Sequence, residues 1–296
     1  MTPRSPSQLS TSSSPADGDK EAFATSKAHL LGSIRRAPVG EQPFFHAYLE
    51  NIFPDRLYDS IRAYMLARKY GGEIQDRLQD NPSFINKRFN LQNDQDEPVA
   101  SIRALFSDRE IMRALLAKFY VDPSDVLIDA LHIHKEFEFF FTTAGRFQNI
   151  HIDIPPKFLS FVFYIPERET DPADALRNGT ILYDKNLQPH YKARFAANSA
   201  CVFAPHFSTY HGFASTIDRD VLVMFYINRD ALETWRAIRR DVGDVAPFTG
   251  LLDAVEDKVT AHPLIEFAGD GGRLAAERSA CRVNAPDGRV LRDAPR

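Results

Sequence analysis

Residues 126–141 read VLIDALHIHKEFEFFF, and their parity decides the fold. Leu131, Ile133, Phe137, Phe139 and Phe141 alternate with His132, His134, Glu136 and Glu138. A period of two marks a strand with one face on a core and the other among polar groups. Working outward, KFLSFVFYI (157–165), GTILY (179–183), SACVFA (199–204) and DVLVMFYI (220–227) are further short β-rich runs, divided by Gly, Pro, Asn and Asp. Short strands with turn signals between them predict a sandwich or barrel rather than a parallel βαβ sheet.

Upstream the period changes. From Asp55 to Tyr70, Leu57, Ile61, Tyr64 and Met65 recur at three- and four-residue steps and share one helical stripe, which Gly71 and Gly72 end. Ser107 with Glu110 three places on has capping-box spacing, and predicts a second helix through Ile111, Leu115 and Phe119 as far as Pro123. These helices are expected to form a layer against the strands. After Asp230, Leu232, Trp235 and Ile238 fall back into helical step, with Gly243 just past the end. Residues 1 to 40 are rich in Ser, Pro and small polar side chains and read as a disordered leader. The principal domain is expected over 41–266, with a tail at 267–296.

The 296 residues are 44% hydrophobic and 26% charged, with a formal net charge of -4, a globular balance with no basic field to concentrate a polyanion. Nucleic acid is therefore not an expected partner. No window approaches the run of about 18 apolar residues that a membrane span needs. The leader lacks the apolar core of a secretory signal. Cys201 and Cys281 are the only cysteines and lie far apart, which suggests neither a disulfide framework nor a zinc ribbon; a reducing cytoplasm fits best.

The segment QNIHIDIPPKFLSFVFYIPE (148–167) places His151 and Asp153 two apart, on one face of an extended strand or strand end. Imidazole plus carboxylate suits divalent iron, and a two-histidine, one-carboxylate set leaves open positions for a chelating 2-oxo acid and for dioxygen. Downstream, FAPHFSTYHGFASTIDRDVLVMFYIN (203–228) supplies His211 and then Arg219 at the head of an apolar strand. Arginine's planar fork suits bidentate capture of a carboxylate, such as the distal end of 2-oxoglutarate.

The order HxD, a strand ending in YIP, then GT, then a histidine in an HGF context, then Arg at the start of a strand resembles the Fe(II)/2-oxoglutarate-dependent dioxygenase superfamily, in particular its prolyl-4-hydroxylase-like branch. The resemblance covers roughly residues 125 to 230. It implies a double-stranded β-helix, the cupin-like jelly roll, with helices buttressing one sheet. It implies His151, Asp153 and His211 as iron ligands and catalytic residues, and Arg219 and Tyr164 on the distal carboxylate of 2-oxoglutarate. It implies iron(II) as cofactor, with 2-oxoglutarate and dioxygen as co-substrates.

Where many members of the branch have a Gly-Gly pair, this chain has Asn178-Gly179-Thr180, and Thr180 is a candidate contact to the co-substrate. Phe141 stands where some relatives have a tyrosine touching 2-oxoglutarate. Relatives that halogenate usually lack the carboxylate ligand; Asp153 occupies that position, which favours hydroxylation. His206 competes with His211 for the distal ligand, but the spacing to Arg219 and the HGF context favour His211. The expected function is hydroxylation of a small molecule (an amino acid, sugar or secondary-metabolite intermediate) with release of succinate and carbon dioxide.

The rival reading is a non-catalytic or cupin-type metal-binding jelly roll that uses other residues. His132, His134 and Glu138, followed by Gly145, fit the first metal motif of a cupin, and period two would align all three on one strand face. Against it, Val126 stands where that motif begins with glycine. Of the remaining polar residues near the first motif, Lys157 reads as a solvated loop cation rather than a substrate anchor, and Arg146 and Asn149 as turn residues or substrate contacts.

Overall fold

The computed structural model describes residues 15–71, 86–120, 128–129, 131–154, 156–205 and 209–233. In chain order the elements are α1 (Pro15–Arg36), β1 (Val39–Gly40), β2 (His46–Glu50), α2 (Asp55–Tyr70), β3 (Asn86–Asn90), α3 (Val99–Leu105), α4 (Arg109–Phe119), β4 (Ile133–Thr142), β5 (Phe147–His151), β6 (Lys157–Tyr164), α5 (Pro172–Arg177), β7 (Ile181–Tyr183), β8 (Pro189–Lys192), β9 (Ser199–Phe203), β10 (His211–Ala214) and β11 (Arg219–Asn228).

The strands form a seven-stranded sheet, β1-β2-β9-β6-β11-β4-β3, and a four-stranded sheet, β5-β10-β7-β8. Every pairing is antiparallel. From β4 to β11 the chain alternates between them: β4, β6, β9 and β11 lie in the larger sheet, and β5, β7, β8 and β10 in the smaller. That connectivity is a double-stranded β-helix, or jelly roll.

Parity sorts the side chains of the larger sheet into two cores. Phe137, Phe139, Phe141, Leu159, Phe161, Phe163, Leu222 and Met224 pack outward against the helices, with Leu30, Ile61, Ile102 and Leu115. Phe140, Tyr164, Cys201, Phe203, Val221 and Val223 point the other way, toward Leu182 of the smaller sheet. Phe141 therefore faces the helical layer, and the side chain on the inner face is its neighbour Phe140, because a one-residue step flips a strand residue to the opposite face.

The helix expected over 55–70 is present, and the Gly71 N–H closes it on the Ala67 carbonyl. The second helix begins one residue later than the capping-box reading has it. Asp108 is the cap, its Oδ1 accepting from the N–H groups of Glu110 (2.9 Å) and Ile111 (3.2 Å), while Ser107 Oγ turns back to the Arg103 carbonyl. Strand β4 starts at Ile133, later than its apolar pattern suggests. The expectation of a disordered leader up to residue 40 fails for residues 15–40. Phe23, Leu30, Leu31 and Ile34 form a stripe at helical spacing that joins the helical core, and Lys27 bridges to Asp108 at 2.8 Å. The Ser- and Pro-rich start of the chain masks that stripe in the average composition.

The helix expected after Asp230 begins within the described residues, capped by Asn228 Oδ1 on the Ala231 N–H, but Trp235, Ile238 and Gly243 lie outside them, as does the tail. No helix among the described residues is long and apolar enough to cross a membrane.

Candidate metal centre

Antiparallel pairing of β5 with β10 sets His151 directly opposite His211, their ring centroids 4.2 Å apart. Asp153 follows His151 by two residues, just beyond the strand end. One ligand atom from each of the three lies within 4.8 Å of the others, and among the described residues this is the one such group of His, Cys, Asp or Glu.

His211 is 7% exposed, and its Nδ1 lies 3.0 Å from the Thr209 carbonyl oxygen. A carbonyl only accepts, so Nδ1 carries the proton and Nε2 presents a lone pair. Burial lowers the pKa of this imidazole against the pull of Asp153, which favours the neutral form that ligates a metal. Gln148 Nε2 stands 3.2 Å from His151 Nε2, directed at the corresponding nitrogen of the other ring.

The Asp153 side chain is 7% exposed and is held at both oxygens: Lys157 Nζ donates to Oδ1 at 2.7 Å and Ser160 Oγ to Oδ2 at 2.6 Å. Burial would push its pKa up, but the Lys157 ammonium, with the two imidazoles, holds it well below the usual carboxylate range. Asp153 is therefore an ionised carboxylate with lone pairs to spare. Two imidazoles and one carboxylate fit iron(II) better than a soft-metal site.

A second constellation lies in the same jelly roll. Arg219, at the head of β11, is 2% exposed, with its guanidinium 3.8 Å from the centroid of Phe213. Its Nε donates to the Asn178 carbonyl at 3.1 Å and its Nη2 to Thr180 Oγ1 at 2.9 Å. Tyr164 Oη donates to the same Thr180 oxygen at 2.7 Å. With two donors on its oxygen, Thr180 keeps its own proton to offer. Burial lowers the arginine to about 10, and it remains a cation. Among the described residues no carboxylate pairs with it; the neighbouring Asp220 points its Oδ2 at Lys69 instead. A buried cation, a phenol and a hydroxyl that converge in this way form a cradle for an anion.

The fold thus brings His151, Asp153 and His211 together, and separately Arg219, Tyr164 and Thr180. The cupin-type set is not assembled. His132 precedes the strand, in a turn with φ of 44°, and pairs with Asp230; His134 pairs with Glu136 and Glu138 with Arg88. His206 lies outside the described residues, and Arg146 is exposed in the β4–β5 turn. Lys157 is not a solvated loop cation: it opens β6, is 14% exposed, and sits 3.3 Å from the centroid of Phe225.

Sequence reasoning missed Ser160, Gln148 and Asn178. The one signal for Ser160 is that it is the lone small polar side chain in the otherwise apolar and aromatic stretch FLSFVFYI (158–165). Asn178 is fully buried, its Oδ1 accepting from Ser215 Oγ (3.1 Å) and the Thr216 N–H (2.6 Å) while its carbonyl holds Arg219.

No protein-family model matches the sequence, and no curated protein does. Solved structures show a partial likeness. A prolyl-4-hydroxylase from Pseudomonas putida is 16% identical, with a TM-score of 0.49 over 69% of this chain and 99% of the other. A Trichoplax adhaerens prolyl hydroxylase, solved with a hypoxia inducible factor peptide fragment, is 11% identical, with a TM-score of 0.49 over 76% and 97%. A 2OG-Fe(II) oxygenase family oxidoreductase from Burkholderia pseudomallei is 17% identical, with a TM-score of 0.39 over 69% and 90%. At these identities the chemistry has to be read from the side chains of the site itself.

Proposed function

We propose that this chain is an iron(II)- and 2-oxoglutarate-dependent oxygenase that hydroxylates an aliphatic carbon of a small molecule. The observation that carries this reading is the pairing of two sites in one jelly roll. One is a two-histidine, one-carboxylate group, and the other is the buried Arg219–Thr180–Tyr164 cradle, which has no carboxylate partner among the described residues.

His151, Asp153 and His211 would hold the iron. When bound, iron and 2-oxoglutarate supply oxidative chemistry in which dioxygen is consumed and succinate and carbon dioxide are released. The protein's own part is binding, orientation and the exclusion of water. Thr209 fixes the His211 tautomer, Ser160 and Lys157 fix the carboxylate, and Arg219 with Thr180 and Tyr164 grips the distal carboxylate of 2-oxoglutarate. Retention of the carboxylate ligand favours hydroxylation over halogenation. A small substrate is favoured because no docking module flanks the jelly roll among the described residues.

The test is an anaerobic titration of the metal-free protein with iron(II) and then 2-oxoglutarate, followed by a succinate assay. A weak visible charge-transfer band is expected, absent in His211→Ala and Asp153→Ala. Folded wild-type protein that gives no band and no succinate overturns the assignment.

A further inference from the structure

Lys157 is a second largely buried side-chain cation besides Arg219, and in the metal-free protein its partner is Asp153, at 2.7 Å. It is carried on β6 three residues before Ser160, and both reach Asp153 from the larger sheet. Its ammonium also lies on the ring of Phe225, the cross-strand partner of Ser160. Only 14% of its side chain is exposed, so the charge is weakly screened by water. The acids on the same inner face have their own partners. Glu136, opposite Phe225, lies 3.6 Å from His134, and Glu138 bonds Asn90 and lies 3.8 Å from Arg88.

Charge balance turns this placement into a prediction about substrate. In the metal-free protein Lys157 and Asp153 cancel. In the loaded site, the two charges of iron(II) and those of Arg219 and Lys157 meet one negative charge on Asp153 and two on 2-oxoglutarate. One positive charge is left over at a group of largely buried side chains, and it falls on Lys157, 14% exposed, once the metal shares its carboxylate. A buried cation of that kind calls for an anionic partner. Beside it the inner face is apolar, with half-buried Phe225 and Val162 next to buried Val223.

On this basis, and resting on the proposed function, we infer that Lys157 anchors the substrate and that the substrate carries a carboxylate on an apolar body.

The test uses protein loaded anaerobically with iron(II) and saturating 2-oxoglutarate, titrated calorimetrically with 3-phenylpropionate and with its neutral isostere 3-phenylpropionamide. The carboxylate is expected to bind at least about tenfold tighter than the amide, in line with a charge-assisted hydrogen bond. That preference should vanish in Lys157→Met and persist in Lys157→Arg, each variant being first titrated with iron(II) and 2-oxoglutarate until its own visible band saturates. Equal binding of the two probes, no binding of either, a preference that survives in Lys157→Met, or bleaching of the band because the probe displaces 2-oxoglutarate each overturns the inference while leaving the proposed function standing. Failure of the band itself in wild-type protein overturns the proposed function instead.

Discussion

Ser160 Oγ donates a 2.6 Å hydrogen bond to Asp153 Oδ2, so a strand of the larger sheet orients a carboxylate that the smaller sheet delivers. The two sheets therefore meet at the metal group, and its geometry depends on both.

Ser160→Ala should keep the fold and lower metal affinity about 10- to 100-fold, the usual cost of losing an outer partner to a metal ligand. Anaerobic iron(II) titration with circular dichroism as the folding control checks this; an unchanged affinity would reduce Ser160 to a packing residue. Asp153→Ala should lose turnover altogether with the fold retained.

Thr180→Val removes the oxygen on which Arg219 and Tyr164 converge and the proton it offers an anion. The dissociation constant for 2-oxoglutarate should rise about 10- to 100-fold, equivalent to one hydrogen bond to a charged group. Turnover at saturating 2-oxoglutarate should change far less, so the ratio of KM to kcat effects is the diagnostic. Arg219→Ala should raise the 2-oxoglutarate requirement further.

Gly179 stands where the chain passes so close to Ala193 that an added Cβ would lie 1.5 Å from the Ala193 carbonyl oxygen. Both atoms are tied to backbone, so neither yields cheaply. Gly179→Ala should destabilise the protein by about 1–3 kcal/mol or more. A thermal melt superimposable on that of the wild type would contradict this.

Asp220 is 1% exposed, and burial raises its pKa to about 6 despite the Lys69 ammonium at 2.8 Å, with Asp218 and Glu167 adding repulsion. The folded protein thus holds a proton that the unfolded chain, with a carboxyl near 3.8, releases. The contribution of this group to stability accordingly falls as pH rises from about 4 through about 6. Asp220→Asn should remove that fall, measured as urea midpoints across the window against wild type, and parallel profiles would rule it out. Lys69→Ala should be the more damaging change, because it leaves the carboxylate buried and alone.

Leu30 is fully buried beneath α3 and α4, and Leu30→Ala should cost about 2–5 kcal/mol by chemical denaturation. A loss within error of zero would mean that α1 is not part of the cooperative fold.

What the sequence made legible was periodic or local. The alternation through Phe137, Phe139 and Phe141 announces β4, and the two-residue step from His151 to Asp153 puts two donors side by side whatever surrounds them. The partners of those donors were not legible. Ser160 and Lys157 meet Asp153 only because β6 runs in the larger sheet beneath the end of β5, and Thr209 reaches His211 through its main chain, which any residue could supply. Asn178 also holds Arg219 by its carbonyl, so its side chain type gives no hint of the contact. The stripe of α1 was hidden for a different reason, since averaging over a polar, Ser-rich start diluted an amphipathic helix that begins within it.

The pairing of β4 with β11 runs unbroken through ten residues of each strand, from Arg219 opposite Thr142 to Asn228 opposite Ile133, and β6 covers the other edge of β11. Backbone amides there should be the slowest in the protein to exchange with solvent, since such ladders open only when the whole domain does. His211 belongs instead to a strand of four residues whose register with β5 is interrupted after the histidine. By the same reasoning the arginine should sit in one of the slower-opening parts of the described residues and the metal group in a more readily opened one. On gentle heating the metal group should loosen first, while the anion cradle stays formed.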